Sequence, residues 1–163
     1  MGAYLELVLL TGAWRTEAAT LRWKDIDMKA GVLRFKDAKN HTDRQMPITS
    51  RIGELLDGMK ALKMGQHVFA TMGKNGKPTH LSEPRRALIT ANAAATSAVT
   101  THGLRRTYAT VLESLDCPAY PLKALLGHSM KGDVTTAHYT QITVERLEVM
   151  GGKIRAVHIE VGR

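Results

Sequence analysis

The hydrophobic positions along the first third of the chain change from a helical to a strand pattern. Apolar residues over 4–10 predict a buried helix that Gly12 ends, and residues 16–21 predict a second helical segment. Between 23 and 49 the hydrophobic period becomes two, with a turn at 29–31 and a polar connection at 37–43. This pattern predicts three short antiparallel strands.

Helical spacing dominates the rest of the chain. Helices are predicted over 83–99, over 102–115 behind the candidate N-cap Thr101, in a short segment ending at Leu126, and over 144–154. A further helix starts at the candidate N-cap Ser50, and its apolar face is formed by Ile52, Leu55, Leu56, Met59 and Leu62. The predicted class is α+β, mostly α-helical, with a small three-stranded antiparallel sheet near the N-terminus.

Length and composition predict one intracellular domain. The 163 residues suffice for one hydrophobic core, and the sequence has neither an apolar run long enough to span a bilayer nor a signal peptide. Cys117 is the single cysteine, so no internal disulfide or cysteine metal site is expected. The apolar helix starts abruptly after Met1, which predicts a first helix truncated from a longer protein.

The charge balance favours a polyanionic partner. The chain carries 23 Lys and Arg against 15 Asp and Glu, a formal net charge of +8. Each phosphate that a Lys or Arg neutralises releases counterions and adds affinity. Nucleic acid is therefore the preferred partner, and the alternative is a basic domain without such a ligand.

Several polar residues occupy positions suited to phosphate chemistry. His102 and Arg105 lie three residues apart at a predicted helix start, where unpaired backbone N–H groups favour anions. His128 follows the helix end at Gly127, and Tyr139 lies in a polar stretch. Taken singly, each residue also fits an ordinary helix cap, surface histidine or half-buried aromatic residue.

The order of these features carries more information than any one of them. The segments "TGAWRTEAATLRWKDID", "DAKNHTDRQMPIT", "THGLRRTYAT", "LLGHS" and "GDVTTAHYTQITVERL" follow one another over nearly the whole chain. Together they resemble the catalytic domain of the tyrosine recombinases, or phage integrases. The resemblance implies the fold of that domain over residues 1–163, without the amino-terminal core-binding domain that such proteins usually carry.

The resemblance also implies a mechanism without cofactor or metal. Tyr139 would attack the scissile phosphate and form a 3′-phosphotyrosyl link, while Arg105 holds the non-bridging oxygens. His102 and His128 would hydrogen-bond the phosphoryl group and assist proton transfer, and Lys39 would protonate the leaving 5′-oxygen. This chemistry corresponds to site-specific integration or excision of a mobile element or prophage.

Position 14 departs from the family pattern. The family has Thr-Gly-x-Arg-x-x-Glu here, and alignment of Thr11, Gly12 and Glu17 puts Trp14 where the first catalytic arginine belongs. Glu17 would normally brace that arginine. We predict impaired cleavage, because tryptophan has no charge and a single donor. The change is engineered, or a natural degeneration, or a displacement of the arginine to Arg15; Trp14 as an ordinary core residue is the fourth interpretation.

The resemblance implies double-stranded attachment-site DNA as the partner, with self-association into a tetramer, in a bacterial or phage-encoded protein of the cytoplasm and nucleoid. The alternatives are an inactive DNA-binding or regulatory relative and a type IB topoisomerase relative. A metal site of His41, His80 and His138 matches no ligand spacing. On charge alone, the predicted DNA-binding residues are Lys74, Lys77, Arg85, Arg86, Arg106 and Lys131.

Overall fold

A buried helix, α1, lies at the centre of the fold. The computed structural model describes residues 2–36, 43–115, 122, 123, 125, 126, 147 and 149. Apolar residues occur on all sides of α1, and Tyr4, Leu7, Val8 and Leu10 are buried, as expected for a helix enclosed by other elements. The helices are α1 (Gly2–Thr11), α2 (Arg15–Thr20), α3 (Ser50–Lys60), α4 (Arg85–Ala94) and α5 (Thr101–Glu113), and α1 packs against the other four.

The predicted three-stranded sheet is present. It consists of β1 (Ile26–Asp27), β2 (Val32–Phe35) and β3 (Arg44–Pro47), paired antiparallel in that order. Leu33 pairs with Met46 and Phe35 with Arg44, and all four side chains are buried. One face of the sheet therefore covers the helical core, and it carries an arginine among apolar residues.

A second sheet was not predicted. The glycines and lysines of residues 72–78 predict a flexible basic loop, but β4 (Ala70–Met72) and β5 (Pro78–His80) form an antiparallel hairpin around residues 73–77. Gly73 N–H donates to the Lys77 carbonyl at 2.9 Å, and Gly76 adopts a φ of +70° that favours glycine. The basic loop is therefore the turn of a hairpin.

Several helix ends differ from the predicted ones by a few residues. Thr49 rather than Ser50 caps α3, and Thr100 rather than Thr101 caps α5. Helix α4 ends at Ala94, and Leu62, beyond the end of α3, is 68% exposed. In the short segment predicted to end at Leu126, the described residues Leu122, Lys123 and Leu125 are helical, whereas most of 144–154 lies outside the described residues. Within the described part of the chain, no helix has the length and apolar character needed to cross a membrane.

His67, at the base of the hairpin, makes stability depend on pH. It is buried against His80, with ring centroids 5.6 Å apart. Burial lowers the pKa of His67, and the charge of Arg22 and the neighbouring His80 lower it further. Because the unfolded chain binds the proton more readily, stability is lost as pH falls below about 6.5. We expect His67→Gln to reduce this loss between about pH 7 and 5, measured by urea unfolding; equal slopes for both proteins would contradict it.

Candidate active site

The turn between α1 and α2 has a conformation that its Thr-Gly sequence explains. Gly12 has a φ of +59°, and a Cβ at this position would lie 2.4 Å from Cδ1 of Tyr108. Thr11 Oγ1 donates to the Leu7 carbonyl at 2.6 Å and accepts from Ala13 N–H at 3.3 Å. Both residues thus fix the backbone that leads to Trp14.

Trp14 is the residue that precedes α2. Its backbone N–H donates to Oε2 of Glu17 at 2.9 Å, and its carbonyl accepts from Ala18 N–H at 3.0 Å. The residue is 46% exposed. The interpretation of Trp14 as an ordinary core residue is therefore wrong, because its backbone is fixed but its side chain lies at the surface.

The Trp14 indole stacks on the guanidinium of Arg105. The Cζ atom of Arg105 lies 4.1 Å from the ring centroid, and Arg105 itself is buried. Arg105 donates to the carbonyl of Gly12 and, at 2.5 Å, to that of Leu126. Burial lowers the pKa of Arg105 and the Arg44 charge lowers it further, while Glu17 and Tyr108 oppose the shift. Position 14 therefore faces the predicted phosphate-binding arginine.

Arg44 is a second buried arginine, which the sequence analysis missed. Its Nη2 atom lies 2.8 Å from Oε2 of Glu17, and its Nη1 atom donates to the carbonyls of Thr11, at 3.2 Å, and Leu125. Its guanidinium also lies 4.7 Å from the Phe35 ring centroid. The alternation of side chains along a strand could have identified Arg44 as buried, because position 44 lies on the same face of β3 as the apolar Met46.

The two arginines connect the same pair of segments. Arg44 bonds to Thr11 and Leu125, and Arg105 bonds to the next residue in each segment, Gly12 and Leu126. Both therefore join the end of α1 to the helical turn that ends at Leu126. The Thr-Gly motif and Leu125–Leu126, the described start of the segment "LLGHS", therefore lie in one connected region.

Of the other predicted site residues, some lie within the described ranges and some lie outside them. His102 is exposed in the first turn of α5, one turn before Arg105. Arg15 pairs with Glu83 at 3.5 Å, and its side chain is half exposed. The predicted residues outside the described ranges are Lys39, His128, Lys131 and Tyr139, together with His41 and His138 of the alternative metal site.

The predicted DNA-contacting residues within the described part of the chain are all at the surface. Lys74 and Lys77 lie at the β4–β5 turn, Arg85 and Arg86 start α4, and Arg106 follows Arg105 on α5. Among the described residues, no group of three or more His, Cys, Asp or Glu side chains is placed to hold a metal ion. The candidate site residues within the described ranges are Trp14, Glu17, Arg44, His102 and Arg105.

This mostly helical fold with its small antiparallel sheet is that of tyrosine recombinase catalytic domains. The chain belongs to the phage integrase family, whose sequence profile matches residues 2–146. The predicted family and fold class are thus confirmed.

Individual relatives agree with this assignment. The prophage integrase IntF of Escherichia coli K12 is 34% identical over 93% of this chain and 33% of its own length. The tyrosine recombinase XerC of Staphylococcus haemolyticus is 28% identical over 88% of this chain and 49% of its own. The chain thus spans a third to a half of these relatives.

A solved structure shares the fold at low sequence identity. The Tn1549 transposon integrase, in complex with circular intermediate DNA, superposes with a TM-score of 0.62 at 17% identity. The match covers 89% of this chain and 59% of the integrase chain in that structure, which comprises its residues 82–397.

Proposed function

We propose that this chain is the catalytic domain of a site-specific DNA recombinase that still binds DNA but cleaves it poorly. The observation that carries the proposal is the contact of Trp14 with Arg105, because an uncharged ring occupies the position of the expected cation. The proposed substrate is the attachment site of a mobile element or prophage. The recombination reaction is supported by the phage integrase family, and the impairment is argued from position 14 alone.

The proposed reaction exchanges one phosphate ester for another. The Tyr139 oxygen attacks phosphorus, a bond to that oxygen forms, and the bond to the 5′-oxygen of the strand breaks. His102 and His128 bind the phosphoryl group and accept the tyrosine proton, while Lys39 protonates the leaving 5′-oxygen. A 5′-hydroxyl of a partner strand then reverses the step. Because the tyrosyl ester conserves the energy of the broken bond, rejoining needs no external energy source.

Position 14 weakens the stabilisation of the transition state. The phosphoryl oxygens gain negative charge as the bonds exchange, and two preorganised cations would hold that charge better than one. Trp14 supplies no cation, and it covers one face of Arg105. Glu17, which would brace an arginine at position 14, is paired with Arg44 instead. Loss of one preorganised donor typically lowers the rate on the order of 10²–10³-fold, so slow cleavage follows.

Binding of fully paired DNA depends on a different set of side chains. The exposed cations of the β4–β5 turn, α4 and α5 lie outside the Trp14 contact, so substitution at position 14 leaves them in place. The Tn1549 integrase, which shares the fold, was solved with DNA. Assembly into a tetramer on the attachment site belongs to the same proposal.

An inactive DNA-binding or regulatory relative is the second candidate, and the same Trp14 contact favours it. A duplex nicked near the cleavage position distinguishes the two, because cleavage releases a short fragment and traps the covalent complex. We expect a DNA complex that weakens steeply with salt, together with a faint covalent band that Tyr139→Phe abolishes. Binding without any Tyr139-dependent band, even after long incubation, would favour the regulatory relative. Absence of DNA binding would overturn both candidates.

A further inference from the structure

We propose that Trp14 is a stacking site for an unpaired nucleobase next to the phosphate that Arg105 binds. The inference rests on the proposed function, because it assigns a ligand to the site of a DNA-binding protein. It gives position 14 a role of its own beyond the loss of an arginine.

The indole of Trp14 is held in place and presents a flat surface, here called the platform. The backbone of Trp14 makes two hydrogen bonds: its N–H donates to Glu17 at 2.9 Å, and its carbonyl accepts from Ala18 at 3.0 Å. Beneath it, the Arg105 guanidinium lies 4.1 Å from the ring centroid, and Arg105 is itself bonded to Gly12 and Leu126. An aromatic ring fixed in this way loses little conformational entropy when a ligand stacks on it.

The exposed side of the platform matches the chemistry of a nucleobase. Trp14 is 46% exposed although neighbouring Thr11 and Ala13 are buried. The charge around it is positive, because Glu17 is neutralised by Arg44 at 2.8 Å and Arg105 adds a further cation. An aromatic face beside an excess of positive charge is the combination that binds single-stranded nucleic acid, since each base has a π-face and each nucleotide a phosphate.

The ligand is an unpaired base because a paired base has both faces covered by its neighbours in the duplex. A strand that leaves its duplex during strand exchange exposes such bases. A base attached to the phosphate at Arg105 is within one nucleotide of Trp14, so phosphate binding and stacking act on the same nucleotide. The chain is thus expected to prefer DNA with an unpaired base at the site.

The test compares three duplexes of one sequence at low salt: fully paired, with one extra unpaired adenine, and with an abasic residue in place of that adenine. We expect the unchanged chain to bind the adenine duplex roughly 5- to 150-fold more tightly than the abasic duplex. Trp14→Ala is expected to remove this preference, whereas Trp14→Phe keeps part of it. Fluorescence anisotropy of labelled DNA gives all three affinities.

Trp23→Phe is the matched control, because Trp23 is the second tryptophan of the chain and lies in the 3₁₀ turn before β1. It should leave the adenine preference unchanged. Equal affinities of the unchanged chain for the adenine and abasic duplexes, or a preference that survives Trp14→Ala, would overturn the stacking site alone. Failure to bind any of the three duplexes would overturn the proposed function as well.

Discussion

Replacing Arg44 with methionine is expected to cost about 3–5 kcal/mol in the free energy of unfolding. The substitution keeps the apolar stem but leaves the Glu17 carboxylate buried without its partner 2.8 Å away. It also removes the hydrogen bonds to the Thr11 and Leu125 carbonyls. Urea unfolding followed by circular dichroism measures the loss, and the double variant with Glu17→Gln should lose less than the sum of the single changes.

Arg51 is the matched control for this prediction. It pairs with Glu6 at 2.6 Å and Glu54 at 2.8 Å, distances as short as that of the buried pair, but its side chain is 37% exposed. Arg51→Met is therefore expected to cost only about 0.2–1 kcal/mol for each exposed pair. A loss for Arg44→Met no larger than for Arg51→Met would contradict the structural role assigned to the buried pair.

Hydrophobic patterns within short stretches of the sequence predicted the three-stranded sheet and α1. The period-two segments gave the three-stranded sheet, and the apolar run at 4–10 gave α1. The predicted N-caps of α3 and α5 each lie one residue after the observed ones. Two hydroxyl residues are adjacent at each helix start, Thr49–Ser50 and Thr100–Thr101, and either can accept the capping hydrogen bond. The β4–β5 hairpin was missed because its strands have three residues each, too few to display a period.

Contacts between segments far apart in the sequence could not be predicted from local hydrophobic patterns. Arg44 lies 27 residues from Glu17 and 81 from Leu125, and a charged residue in a short strand is usually placed at the surface. Leu62 continued the helical spacing of α3, but the helix ends at Lys60 and the side chain is exposed. The packing of the whole domain therefore determines that Arg44 is buried and Leu62 is exposed.

Position 14 was predicted in part from the local sequence and depends in part on a contact between distant segments. The alignment of Thr11, Gly12 and Glu17 predicted that Trp14 occupies an arginine position, and the conformation of the turn is consistent with that alignment. The stacking of the indole on Arg105 depends on how α5 packs against α1, which no spacing in the sequence specifies. The sequence thus identified the residue, and the structure supplied its contact.

Replacing Trp14 with arginine is expected to raise the rate of covalent complex formation by on the order of 10²–10³-fold. The new side chain uncovers Arg105, adds a second cation beside it, and offers a planar fork that pairs with two phosphate oxygens. The change acts on the transition state, because charge on the phosphoryl oxygens grows as the bonds exchange. DNA affinity should therefore change much less than the rate.

The rate of phosphotyrosyl complex formation on a nicked attachment-site duplex, under single turnover, tests the account most directly. Trp14→Leu is the control that removes the indole without adding a cation, and Trp14→Arg combined with Tyr139→Phe is the control for the nucleophile. We expect a rise of roughly 100-fold or more for Trp14→Arg, a much smaller rise for Trp14→Leu, which uncovers Arg105 without adding a cation, and no complex for the combined variant. Equal rates for the unchanged chain and Trp14→Arg would contradict it.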